Sequence, residues 1–171
     1  MPNTLTKIAS YTAPTGGGNG VGFTSIPQTY TDLIIKASVR SITSGGYDSL
    51  GMYLNGSQAN ISNTFLIGSG TGISSSRSTY RAFSTINSAL NNATVFTSIS
   101  ISILNYTSNN FKPILFETAL DGAQSAAFPQ LVSGLWSNTA AINSVTFDTA
   151  TSGQNLAEFT TFTLYGIKNT P

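Results

Sequence analysis

Apolar and polar residues alternate with a period of two along most of this chain. From Thr97 to Ile103, Ile99, Ile101 and Ile103 interleave with Ser98, Ser100 and Ser102. Leu33, Ile35, Ala37 and Val39 alternate in the same way with Lys36, Ser38 and Arg40. Side chains on a strand point to opposite faces at successive residues, so this pattern predicts half-buried strands with one wet face. The same reading predicts strands over Leu5–Tyr11, Val21–Ile26, Leu50–Leu54, Thr64–Ile67, Tyr80–Ile86, Ile114–Leu120, Leu131–Trp136, Ile142–Phe147 and Phe159–Ile167.

Turn residues separate these segments. Asn55-Gly56 follows Leu50–Leu54 and suits a type I′ turn, which needs positive φ at both central positions. Gly45-Gly46, Asp121-Gly122 and Ser152-Gly153 mark further reversals, and Pro27 and Pro129 sit just outside predicted strands. No apolar period of 3.6 is sustained, and the Ala-rich stretch Ala123–Ala127 stops at Phe128-Pro129. The pattern predicts an all-β fold: an antiparallel, jelly-roll-like β-sandwich of about ten short strands with little or no helix. Composition changes sharply only at Pro14–Gly20, which reads either as a surface turn or as a joint after an N-terminal arm, residues 1–13. One domain over 1–171 is expected. The segment from Gly68 through Ser76 reads as a flexible loop.

Composition then narrows the chemistry. The 171 residues include no Cys and no His, only 8% are charged, and the formal net charge is +1. A chain without imidazole or thiol has no Ser-His-Asp triad, no thiolate nucleophile and no zinc site with nitrogen or sulfur ligands. Lys7, Lys36, Arg40, Arg77, Arg81, Lys112 and Lys168 are scattered singly, unlike the concentrated basic footprint that nucleic acid requires. No apolar run reaches the ~18 residues of a membrane helix or resembles a signal peptide. The expectations are therefore no nucleic acid, no membrane, and synthesis in a reducing cytosol without an export signal.

The remaining motifs are weak. The glycines of 16–22 lack the spacing and the following helix of a phosphate loop, and Gly68–Gly72 fails likewise. Six acidic residues, Asp32, Asp48, Glu117, Asp121, Asp148 and Glu158, are all that a glycosidase-type carboxylate pair could draw on. Most fall at predicted strand ends or turns, where a solvated or backbone-capping carboxylate is the commoner role. No calcium loop of the Asp-x-Asp-x-Asp-Gly type is present. No catalytic, cofactor-binding or metal-binding residue is singled out. Sequons occur at Asn55, Asn60, Asn92 and Asn105. Chance accounts for them, because 15 Asn with 48 Ser and Thr in 171 residues give about four. Trp136 and Tyr106 are the best candidates for an exposed aromatic platform, against the commoner role of core packing.

Several stretches together resemble one family. Lys7-Ile8-Ala9-Ser10-Tyr11-Thr12, Ile26-Pro27-Gln28-Thr29-Tyr30-Thr31-Asp32-Leu33, Ser38-Val39-Arg40-Ser41, Leu54-Asn55-Gly56 and Thr163-Leu164-Tyr165-Gly166-Ile167 are similar to small all-β virion proteins of tailed bacteriophages, those of cyanobacterial and marine phages above all. The resemblance implies a structural component of the virion, located on the capsid surface or in the tail. Its leading form is a capsid decoration (cement) protein that clamps neighbouring copies of the major capsid protein as a homo-oligomer, often a trimer. The alternatives are a tail-fibre or baseplate component that binds a cell-surface glycan through exposed aromatics and, in a third class, a polysaccharide-degrading enzyme with two close carboxylates.

Overall fold

Among the described residues the alternation resolves into twelve strands in two antiparallel sheets. The computed structural model describes residues 5–79, 82–90, 93–121, 128–150 and 155–168. In chain order the strands are β1 (Leu5–Thr12), β2 (Val21–Phe23), β3 (Asp32–Val39), β4 (Tyr47–Leu54), β5 (Ile61–Gly68), β6 (Ile73–Ser78), β7 (Ala82–Asn87), β8 (Thr97–Ile103), β9 (Lys112–Ala119), β10 (Gln130–Trp136), β11 (Val145–Thr149) and β12 (Thr161–Ile167). The larger sheet runs β1-β12-β3-β8-β9-β10-β5-β6 and the smaller runs β2-β11-β4-β7. No helix occurs among the described residues.

The topology contains a jelly roll. With β5, β6, β9 and β10 set aside, two four-stranded sheets face each other in the orders β1-β12-β3-β8 and β2-β11-β4-β7. Renumbered one to eight along the chain, these orders are 1-8-3-6 and 2-7-4-5, the double Greek key of that fold. The other four strands form two hairpin-like insertions, β5-β6 and β9-β10. They extend the larger sheet beyond β8 as a wing with the order β9-β10-β5-β6.

Alternation places the core between the sheets. Ile99, Ile101 and Ile103 of β8 are buried, as are Leu33, Ile35 and Val39 of β3. Two aromatic pairs join the layers. Phe83 of β7 stacks on Phe116 of β9 with ring centroids 4.5 Å apart, and Phe147 of β11 stacks on Phe162 of β12 at 4.9 Å. Gly134 makes room for the first pair, since a Cβ there would lie 3.1 Å from the Phe83 ring. At the far end of the sandwich Tyr30 lays its ring against Gly166, where an added methyl would overlap the ring atoms. The Thr31 N–H donates to the Ile167 carbonyl at 2.7 Å in the same place.

Several expectations change in detail. The segment Gly68–Ser76, expected as a loop, contains most of β6: Ser74, Ser75 and Ser76 pair with Ile67, Leu66 and Phe65. An edge strand needs only one partner, so serine suffices there without an apolar face. Leu5–Thr12 is an edge strand paired with β12 from Leu5↔Ile167 to Thr12↔Thr161. The glycine stretch that follows it is a turn fastened to Leu156 by the reciprocal bonds Gly18 N to Leu156 O, 3.0 Å, and Leu156 N to Gly18 O, 2.8 Å. Phe159, expected in the last strand, has φ 66° and lies in the turn before β12. Asn55 and Gly56 adopt φ of 51° and 72°, as the tight-turn reading requires. The Ser152-Gly153 turn, Gly122, the Ala123–Ala127 stretch, Tyr80, Arg81 and the Asn92 sequon lie outside the described residues.

Candidate interaction surface

The outward face of the larger sheet changes character along its width. Strand register builds one row across it as Thr163, Lys36, Ser100, Glu117, Leu131, Leu66 and Ser75. The next row runs Tyr165, Ile34, Ser102, Leu115, Ser133, Thr64 and Arg77. On β8 the outward positions are serines. One strand further, on β9, β10 and β5, they become Leu115, Leu131, Leu135 and Leu66, exposed by 39, 45, 36 and 47%. Leu131 and Leu66 are direct cross-strand partners, and Leu115 lies diagonal to both Leu131 and Leu135 across β9 and β10. An exposed contiguous apolar patch of this kind is a candidate contact surface.

A shallow groove of about 680 Å³ crosses this patch, with Leu66, Ile73, Ala119, Pro129 and Leu131 as its apolar lining. Among the described residues that line it, Glu117 is the only charged group, beside Ser98 and Ser100. Lys36 lies one strand away and donates from Nζ to Ser100 Oγ at 2.8 Å. The groove therefore combines a greasy floor with the Glu117 carboxylate and the Ser98 and Ser100 hydroxyls, and Thr118 and Gln130 also line it.

Period-two alternation alone does not single out these leucines, because it predicts β9, β10 and β5 as ordinary half-buried strands. The signal was present: Ile114-Leu115-Phe116, Leu131-Val132 and Phe65-Leu66-Ile67 are apolar at both parities, whereas β8 is apolar at one. A strand apolar at both parities has both faces covered, or one face waiting to be.

The residues weighed for chemistry are dispersed. Asp32 and Asp48 are buried rather than solvated: Asp32 accepts the Asn105 N–H at 2.8 Å, and Asp48 accepts the Ser49 N–H at 2.7 Å together with the Thr43 hydroxyl. Both are backbone-capping groups. Asp148, on β11, accepts the Tyr53 hydroxyl at 3.1 Å. Glu117 is exposed on β9, Asp121 follows that strand, and Glu158 sits in the turn before β12. Among the described residues, no three Asp or Glu side chains gather as a metal cluster would require.

Trp136 and Tyr106 are buried at 1 and 0% exposure, which removes them as a stacking platform. The Tyr106 hydroxyl donates to the Pro27 carbonyl, and burial raises its pKa above the ordinary 10.0. The Trp136 indole N–H is buried without a hydrogen-bond partner. Beside it lies Lys112, one of the cations scattered singly along the sequence. Lys112 is fully buried, and its Nζ donates to the carbonyls of Ser108 at 2.6 Å, Asn110 at 2.7 Å and Asn138 at 3.3 Å. The ammonium also stands 5.8 Å from the centre of the Trp136 ring, within cation–π range. Desolvation lowers its pKa. Lys112 thus acts structurally, tying together carbonyls of two loops. Asn55 is similarly occupied, donating to Ala141 O at 2.8 Å and accepting from the Asn143 and Ser144 N–H groups.

Comparison of the chain with protein-family models, curated proteins and solved structures finds no match.

Proposed function

We propose that the chain is a noncatalytic structural protein of a tailed-phage virion, a decoration protein whose leucine-bearing sheet face seats on subunits of the major capsid protein. The observation that carries this reading is the apolar outward face of β9, β10 and β5, built on a jelly-roll base. Jelly rolls serve in viral capsid domains and equally in lectins and cupins, so the fold contributes by analogy alone. Buried Leu side chains supply non-directional adhesion, and many copies on one shell multiply a modest single contact. The glycan-binding alternative loses the two aromatics that motivated it.

The test is a virion made without this protein. Loss of heat and osmotic resistance is the expected result, with density for the protein on the capsid exterior of the complete particle. Unchanged durability, with the protein found only in tails, overturns the assignment. A paired substitution, Leu115→Lys with Leu131→Lys, changes two side chains that already face solvent. Its melting temperature is expected to stay within a few degrees of the parent. Its affinity for particles is expected to fall at least about tenfold, equivalent to ~1.4 kcal/mol of binding free energy.

A further inference from the structure

Four strand edges bound the two sheets, and three of them are blunted. β2 is three residues long. β7 is capped by Gln130, whose Oε1 accepts the Thr85 N–H at 3.1 Å and whose Nε2 donates to Thr85 Oγ1 at 2.7 Å. β1 carries a register shift between Lys7 and Ala9 and holds that lysine at the break. Bulges, lysines, short strands and side-chain covers are the devices by which proteins keep edges from pairing.

β6 has no bulge, no lysine and no cover among the described residues. Its register on β5 is continuous from Asn63↔Ser78 to Gly68↔Ile73, it contains no proline, and Arg77 is its single charge. The residues from Ile73 to Arg77 are all exposed, Ile73 by 80%. No described strand pairs with its outer edge.

The sequence of this edge is complementary to itself. Ile73, Ser75 and Arg77 face the outside of the larger sheet, because they pair with Gly68, Leu66 and Thr64. Residues directly opposite in an antiparallel pair share a face, so two β6 strands can meet only with odd residues opposite odd residues. The symmetric register that uses all five residues sets Ser75 against its own copy, Ser74 against Ser76, and Ile73 against Arg77. Each arginine stem then covers the isoleucine of the other copy while its head stays in water. No charge faces a like charge. The two Arg77 positions stand four residues apart along the seam, ~13 Å at strand rise and beyond a Debye length at physiological salt.

We infer that two copies of this chain pair edge to edge through β6, antiparallel about a two-fold axis at Ser75, joining their larger sheets into one. Isologous contacts of this sort close on themselves and do not propagate into fibres. The arrangement also sets the grooves of the two copies, each lined by Leu66 and Ile73, on either side of the seam and on the same face. It departs from the trimer implied by the resemblance.

Sedimentation equilibrium of the full chain tests it, together with Ser75→Lys, which places two ammonium groups opposite each other at an exposed position. The parent is expected to be a dimer, or an even-numbered assembly, that Ser75→Lys weakens at least tenfold while leaving the melting curve of the subunit in place. Because the chain has no Cys, a spin label on Ser75→Cys provides a second readout, and strong short-range coupling between labels is expected there and not on Arg77→Cys. A monomer at about 100 μM, an odd-numbered assembly, a mass that Ser75→Lys does not move, or labels at 75 as far apart as those at 77 would each overturn the two-fold seam.

Discussion

Lys112 sits in an environment far from the usual one of a lysine. An ammonium taken fully out of water is costly, and here three carbonyls and an indole face replace the lost hydration. Replacing it by an uncharged, apolar side chain of similar length removes the charge but strands those carbonyls. Lys112→Met is therefore expected to cost about 2–3 kcal/mol, at ~1–3 kcal/mol for a buried polar group left unpaired, and to lower the melting temperature by roughly 5 °C or more. Thermal unfolding followed by the fluorescence of Trp136, the only tryptophan, reads both the stability and the changed surroundings of the ring. An unchanged melting temperature would show that water takes over the three carbonyls at no cost. Tyr106 gives a pH prediction of definite sign. Burial raises its folded pKa above the ordinary 10.0, so the unfolded chain releases its proton first as pH rises. The stability that this phenol contributes is complete below about pH 10 and is lost as pH climbs through the higher folded value. The lowered Lys112 works in the opposite sense, gaining stability as pH rises toward 10.5. Tyr106→Phe is accordingly expected to flatten the alkaline fall in melting temperature, and a parallel fall in both proteins would assign that slope to other groups.

At the scale of elements, legibility followed burial on one face. β8 was readable to the residue, because Ile99, Ile101 and Ile103 face the core and three serines face out. β6 was not, since Ser74-Ser75-Ser76 has no inward apolar series and is a strand only because β5 holds one side of it. Serine runs favour loops when taken alone, and pairing overrode that preference. The two-sheet jelly roll was legible as a class, whereas the insertion of two hairpins into one sheet was not: strand order depends on contacts far apart in sequence, which periodicity does not encode. The candidate interaction face was half legible. Its leucines stand in plain view at the second parity of β5, β9 and β10, but only registers such as Leu131↔Leu66 show that they adjoin. Lys112 was the least legible, because nothing adjacent in sequence distinguishes a cation cradled by Ser108, Asn110 and Asn138 from one in solvent.

At the scale of the molecule the deciding quantity is the shortage of charge. With seven basic and six acidic residues in the whole chain, and with Lys112 buried while Asp32 and Asp48 cap backbone groups, few charges remain to steer an encounter. Across the mapped rows of the outward face the charges are Lys36 and Arg77 against Glu117, set around leucines rather than grouped. Adhesion through such a face draws its free energy from apolar area removed from water, which salt does not screen. Binding of the purified protein to bare capsids, measured by calorimetry, is therefore expected to change by less than about threefold between about 0.05 and about 0.5 M sodium chloride. Sulfate at equal ionic strength is expected to tighten it, and the heat-capacity change on binding is expected to be negative. A steep linear fall of log affinity with log salt would move the contact to Lys7, Lys36 and Arg77, and would leave the leucine face without its assigned role.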